Sequence, residues 1–197
     1  MSPLLPSKLV AAGELLQHVS RTAYRGKALY FGRDRTNRYD SPDKAYGVLY
    51  LSFDLATALM ESVFHQHRWH RRKARSIALA EVKSRMVRAV GVIHDLTLAD
   101  LTAPGVMAQY FGLNLMQLSS RRYLHTHRVS QVVHDSLDKN GEPIFDGLVY
   151  PSRNNFPATC VALFDRAQHK VELLDDIDLA DHIDWPHFVA GYRIGIF

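Results

Sequence analysis

The sequence predicts a single α+β domain in which strands at both ends of the chain enclose a largely helical middle. Three observations carry this. First, 197 residues suit one hydrophobic core better than two. Second, short apolar runs rich in β-branched and aromatic residues fill the first and last thirds, whereas residues 95–137 show helical spacing broken at Pro and Gly. Third, a content of 47% hydrophobic and 22% charged residues is that of an ordinary folded chain. No internal repeat or linker divides it, so the expected domain is 1–197.

Taken in order, residues 14–20 (E-L-L-Q-H-V-S) and 28–32 (A-L-Y-F-G) read as two strands joined by the basic stretch 21–27. The first run also fits the end of a helix starting after Ser7. Residues 33–46 are rich in Asn, Asp, Ser, Pro and charge and predict a surface loop, a usual place for binding residues. Gly47 to Ser52 (G-V-L-Y-L-S) predicts a buried strand. From Asp54 the apolar positions Ala56, Leu59, Met60, Val63 and Phe64 fall on one helical stripe, with Ser52 or Asp54 as N-cap. Residues 75–83 and 85–93 then read as strands. Short helical pieces are expected over 95–118, broken at Pro104, Gly105 and Gly112, and a longer helix over 119–137, ended by Asn140-Gly141. Strands at 145–150, 158–164 and 170–174 complete the order.

Composition excludes several classes. A single cysteine, Cys160, allows no intrachain disulfide and no four-thiolate metal site, and it suits a reducing compartment. No secretory signal pattern opens the chain and no window reaches the length of a membrane span, so a cytoplasmic location without membrane contact is the expectation. The net charge of +4 is local. Basic residues gather at 21–38 and at Arg68, Arg71, Arg72, Lys73 and Arg75, while Asp175, Asp176, Asp178, Asp181 and Asp184 form an acidic run. One side of the molecule is thereby suited to phosphates.

Motifs of the dinucleotide-binding G-x-G-x-x-G, P-loop and G-x-S-x-G types are missing. His65, His67 and His70 suggest a zinc site, but residues two apart on a helix point about 200° apart, so only His67 and His70 share a face. No metal is expected. The segment H-Q-H-R-W-H-R-R-K-A-R at 65–75 supports a rival reading: a basic nucleic-acid-binding module, or a nuclease-type toxin, using phosphate contacts and stacking on Trp69. It is one short patch without a recognisable nucleic-acid fold.

Two stretches about ninety residues apart say more: N-R-Y-D-S-P-D-K-A-Y-G-V-L-Y-L-S-F-D-L-A-T-A-L-M-E from Asn37 to Glu61, and F-D-G-L-V-Y-P-S-R from Phe145 to Arg153. Their residues and order resemble the RES domain family, named for an arginine, a glutamate and a serine. The resemblance spans about residues 15–175, including H-D-L-T near Asp95, Y-L-H-T-H at Tyr123 and C-V-A-L-F-D at Cys160. It implies an ADP-ribosyltransferase-like fold of mixed or antiparallel sheets flanked by helices. It also implies attack on NAD as substrate, by hydrolysis, phosphorolysis or transfer of ADP-ribose. Many members are toxins of two-gene modules paired with an Xre-type helix-turn-helix antitoxin, so that partner is expected, while a homodimer and a protein target of ADP-ribosylation stay open.

The resemblance makes Glu61, Arg38 and Ser152 the candidate catalytic residues. A guanidinium matches phosphate oxygens bidentately, which makes Arg38 the expected anion clamp, assisted by Arg33 and Arg35. A carboxylate at Glu61 would stabilise oxocarbenium character on the ribose or position the incoming nucleophile. Tyr50 and Tyr39 would offer aromatic faces to the bases, Ser152 a hydroxyl to ribose or carboxamide, and Arg153 a further contact. Each has a plainer reading taken singly. Glu61 lies off its helix's apolar stripe like any solvated glutamate, Tyr50 is a strand aromatic, Arg38 a loop charge and Ser152 a turn residue after Pro151. One departure stands out. Members commonly carry an arginine in the first strand, and the aligned segment L-L-Q-H-V-S-R puts His18 there, replacing a permanent charge with one that titrates near neutrality.

Overall fold

An eight-stranded mixed sheet, in the order β1-β6-β7-β8-β3-β2-β5-β9, forms the frame of the chain. The computed structural model describes residues 5–65, 75–120 and 122–197. The strands are β1 (Ser7–Val10), β2 (Leu15–Arg21), β3 (Val48–Ser52), β4 (Arg75–Ile77), β5 (Arg85–Val92), β6 (Leu96–Asp100), β7 (Gly147–Pro151), β8 (Thr159–Phe164), β9 (Val171–Asp178) and β10 (Ile194–Ile196). The helices are α1 (Leu55–Glu61), α2 (Leu79–Lys83), α3 (Val106–Phe111), α4 (Leu115–Ser119), α5 (Leu124–His134) and α6 (Trp185–Gly191). Neighbouring strands are antiparallel except β6 and β7, and a small second sheet pairs β4 with β10 in parallel. The expected α+β class, strands at both ends and helices between, is the class observed.

The sheet has a seam. β3 pairs with β8 over five residues and β2 pairs with β5 over seven, but β2 and β3 share one register pair, Gln17 with Ser52. The strands part on either side of that pair, dividing the sheet into β1-β6-β7-β8-β3 and β2-β5-β9. Leu16, Leu49, Leu51, Val90, Leu98, Val149 and Val161 bury between the two halves. α5 packs on the far side of β7 and β8 through Val129 and Val133, against Tyr39, Phe145, Leu148 and Phe164. α1 and α6 cover β2 and β5, with Leu55, Leu59, Phe64, Trp185 and Phe188 buried. β3 and β8 are therefore covered on both faces, which is why they read as continuous apolar runs. Gly147 opens β7 where any Cβ would meet the Ala162 carbonyl of β8, so only glycine allows that close pairing.

Several expectations need correction. Ser7 begins a strand, not a helix. Residues 28–32 form no strand beyond a single bridge between Gly32 and Val48; the carbonyls of Ala28 and of Lys27 just before it are taken by a side chain, Arg88. The stretch 75–83 is strand for three residues and then becomes α2, whose L-A-E-V-K has good helix propensity and whose Glu81 pairs with Arg85 one turn on. Leu96–Asp100 is a strand where helix was expected, and the long helix over 119–137 is the end of α4 plus α5, separated by an extended Ser120 and a left-handed Tyr123. β9 runs on through the acidic stretch to Asp178, because Arg88 meets Asp176 at 2.8 Å and Arg25 meets Asp178. The basic cluster around Arg71 and the His67–His70 pair lie outside the described residues. Among the described residues no helix is long and apolar enough to cross a membrane.

Candidate active site

Where β2 and β3 part, a cleft of about 260 Å³ opens, lined by Gln17, His18 and Val19 of β2, Tyr50, Leu51 and Ser52 of β3, and Ala58, Glu61 and Ser62 around the end of α1. Thr36, Asn37 and Arg38 of the preceding loop, together with His65, Tyr123, Tyr150, Arg153 and Cys160, complete the wall. A strand edge without its neighbour leaves backbone polar groups to satisfy. His18 does this with its side chain: Nδ1 lies 2.9 Å from the Tyr50 carbonyl oxygen. A carbonyl only accepts, so Nδ1 carries the proton and neutral His18 keeps an acceptor lone pair on Nε2. Burial depresses the His18 pKa below 6.5 and the Arg88 charge adds to this, while the bond to Tyr50 opposes it. The imidazole is neutral at pH 7.

Glu61 ends α1, a helix started by Asp54, whose carboxylate accepts the Thr57 N–H at 2.7 Å. Glu61 Oε1 accepts from the Ser152 hydroxyl at 2.7 Å, from the Asn154 N–H at 2.9 Å and from Asn154 Nδ2 at 3.4 Å. Its other oxygen, Oε2, makes no hydrogen bond to the described residues. Ser152 in turn accepts the Asn155 N–H at 2.9 Å, and the Asn155 side chain donates to Thr57 Oγ1 at 2.8 Å and accepts from the Tyr192 hydroxyl. The turn after β7 thus locks the glutamate to its own helix and to α6. A carboxylate with one oxygen committed and one open to a polar cleft is built to face developing positive charge.

Arg38 sits on the opposing loop with its guanidinium over the Tyr39 and Tyr150 rings, 5.3 and 5.6 Å from their centroids. Nη2 donates to the Leu118 carbonyl at 3.2 Å and Nη1 more weakly to Pro151 at 3.5 Å, while Nε is buried without a partner. The loop itself is clamped. Tyr50 OH accepts the Tyr39 N–H and donates to Asp40, whose other oxygen takes the Asn37 N–H. From α5, the Ser130 hydroxyl donates to the Tyr39 carbonyl and His127 Nε2 to that of Asn37. Burial, with the Asp40 charge beside it, pushes the Tyr50 hydroxyl well above its ordinary pKa, so it stays a neutral donor.

Of the residues singled out in the sequence, Glu61, Arg38, His18, Tyr50 and Arg153 line the cleft. Three do not. Ser152 is 2% exposed and stands behind Glu61, its hydroxyl already spent on the carboxylate. Tyr39 is 1% exposed and packs on Tyr150 in the core, which leaves no ring face for a ligand. Arg33 turns away to Asp165 at 2.5 Å, and Arg35 does not line the cleft. Sequence reasoning missed Asn154, Asn155 and Thr57, although R-N-N-F-P directly after the singled-out serine is a turn signal rich in amides. It also missed Gln17, whose amide oxygen is buried on the cleft wall without a partner. Among the described residues no group of three or more His, Cys, Asp or Glu is placed to hold a metal ion.

Compared with known proteins, the chain is similar in structure to a chain of the M. tuberculosis MbcT–MbcA toxin–antitoxin complex, with a TM-score of 0.59 and 12% identity over 94% of this chain and 91% of that one. At that identity the likeness is one of fold. No curated protein sequence matches. The RES domain model matches residues 11–186, most of the chain and every residue of the cleft described above, and the chain therefore belongs to the RES domain family.

Proposed function

We propose that the protein cleaves the nicotinamide–ribose bond of NAD, with Glu61 as the group that meets the developing charge. The observation that carries this reading is Glu61 itself, fixed through Oε1 by Ser152 and Asn154 and open at Oε2 on the wall of the seam cleft. As the bond from ribose C1′ to nitrogen breaks, its electron pair leaves with neutral nicotinamide and positive charge spreads over C1′ and the ring oxygen. A preorganised carboxylate stabilises that charge without reorganising at the moment of reaction. Arg38 clamps the pyrophosphate through the Nη donors not spent on Leu118 and Pro151, its guanidinium held over Tyr39 and Tyr150. The acceptor that attacks C1′ is water, phosphate or a protein side chain.

The biological role we propose is that of a toxin held in check by an antitoxin. Family membership and the fold shared with a chain of a toxin–antitoxin complex support it. An antitoxin of the helix-turn-helix Xre type is the expected partner.

The test is release of nicotinamide from NAD by purified protein, with products weighed by mass spectrometry with and without phosphate. Glu61→Gln and Arg38→Ala each lower the rate at least tenfold, about 1.4 kcal/mol of transition-state stabilisation. Expression of the wild type arrests bacterial growth and Glu61→Gln does not. Full turnover by Glu61→Gln sinks the reading.

A further inference from the structure

Beside the cleft lies a second hollow of about 710 Å³, lined by Ser20, Tyr24, Lys27, Leu29, Tyr30, Asp34 and Arg88 among others. The two share a wall, because His18, Asn37 and Tyr50 line both. Ligand sites commonly measure roughly 300–1,000 Å³; the cleft alone falls short of that and the hollow lies well within it. A ligand seated at Glu61 and longer than the cleft would leave over His18 and enter the hollow.

The hollow is built, not a gap beneath a loose loop. Its outer wall, the segment after β2, has no strand pairing beyond the Gly32–Val48 bridge, yet it is stapled to β5 and β9. Arg88 donates to the Lys27 and Ala28 carbonyls, the Gly26 N–H donates to Asp176, and Arg25 reaches Asp176 and Asp178. The Arg88–Asp176 pair behind these contacts is almost wholly buried, with side chains 3% and 8% exposed. Burying such a pair costs desolvation on both charges and is poor value as stability alone. It is well suited to fixing a wall. That wall presents Tyr30, 70% exposed, and Tyr24, 51% exposed, with the Lys27 ammonium 5.4 Å from the Tyr24 ring centre. An exposed aromatic ring beside a second ring that carries a cation is the chemistry that stacks a nucleobase and holds its phosphate. Asp34 on the rim offers a carboxylate to a ribose diol.

We infer that this hollow is the subsite for the second nucleotide, the adenosine half of the dinucleotide, and makes the enzyme prefer NAD over nicotinamide mononucleotide. The inference rests on the NAD-cleaving function proposed above. Tyr30 and Tyr24 stack the adenine and Lys27 attracts the distal phosphate. His18, with its tautomer fixed by Tyr50, sits at the crossing.

The test compares kcat/KM for NAD with that for nicotinamide mononucleotide. The wild type prefers NAD at least tenfold, and Tyr30→Ala or Lys27→Ala lowers that preference about tenfold, mostly through KM for NAD, with an unchanged melting temperature showing that the wall still stands. AMP competes with NAD in the wild type and far less in Tyr30→Ala. Equal use of both substrates, or an equal loss on both in Tyr30→Ala, overturns the subsite. AMP binding that leaves NAD turnover uncompetitive with it makes the hollow a separate effector site and also overturns the proposal. If neither substrate is cleaved, the proposed reaction has failed; calorimetry with AMP on wild type and Tyr30→Ala then decides the subsite by itself, binding lost in the variant keeping it and no binding to either rejecting it.

Discussion

Ser152→Ala separates two roles for the family serine. Its hydroxyl makes two bonds, one donated to Glu61 at 2.7 Å and one accepted from the Asn155 N–H at 2.9 Å. The first is charge-assisted and worth about 1.5–3 kcal/mol. Glu61 keeps the Asn154 N–H at 2.9 Å, so the carboxylate is loosened but not released. If the whole of that bond acts in the transition state, kcat falls about ten- to a hundredfold by the usual factor of ten per 1.36 kcal/mol. KM stays within about twofold, since Ser152 is 2% exposed and does not itself line the cleft. Losing both bonds also lowers stability by about 2 kcal/mol, a drop of roughly 4–8 °C in Tm for a chain of this size. The assay is steady-state nicotinamide release, well below the variant's Tm, alongside the same measurement on Glu61→Gln and the double variant. A serine that acts only through Glu61 costs almost nothing further once Glu61 is gone. A tenfold rise in KM at intact kcat would refute the positioning argument and return Ser152 to direct contact with substrate.

Three further outcomes are expected. Arg88→Met strands the Asp176 carboxylate in a site that is 8% exposed and costs about 3–5 kcal/mol, read from urea unfolding, while Arg88→Met with Asp176→Leu recovers most of it; a double variant as unstable as the single one contradicts this. His18 has a folded-state pKa below the 6.5 of the unfolded chain, so the unfolded state binds its proton first; stability from this group is full above pH 6.5 and is lost as pH falls below it, and His18→Gln flattens the Tm profile between pH 7 and 5 relative to wild type. Burial, with the Glu61 charge nearby, pushes the Cys160 thiol up to about 12, and the residue is 1% exposed; a thiol reagent at pH 8 therefore titrates no cysteine in the native protein and one after denaturation.

What the sequence revealed followed burial. Val48–Ser52 and Thr159–Phe164 are strands covered on both faces, and their apolar runs had no other reading. α1 was visible because its buried face keeps helical spacing and Asp54 caps it. Leu96–Asp100 was misread because L-T-L-A-D alternates too briefly to announce a strand beside helix breakers. The acidic end of β9 was misread because its partners, Arg88 and Arg25, lie far away in sequence. The site divides in the same way. Glu61 and Arg38 came through resemblance, since helical spacing alone marks Glu61 as a solvated residue. Ser152 was found but its hydroxyl was assigned to the ribose or carboxamide, because only the folded chain shows that this hydroxyl is spent on Glu61. The role of His18 depends on a bond to the backbone of β3 that no pattern in β2 encodes.

The single pair between Gln17 and Ser52 also bears on how such a protein changes over generations. Each half-sheet keeps its own long ladders, five pairs from β3 to β8 and seven from β2 to β5, so neither depends on the seam for its integrity. Substitutions along the parting edges can widen, narrow or recharge the cleft while both halves continue to fold. His18 sits at such an edge, and its bond across the gap to the Tyr50 carbonyl adds to the ladders behind it without being needed by them. The fold can persist at 12% identity while what enters the gap is free to drift.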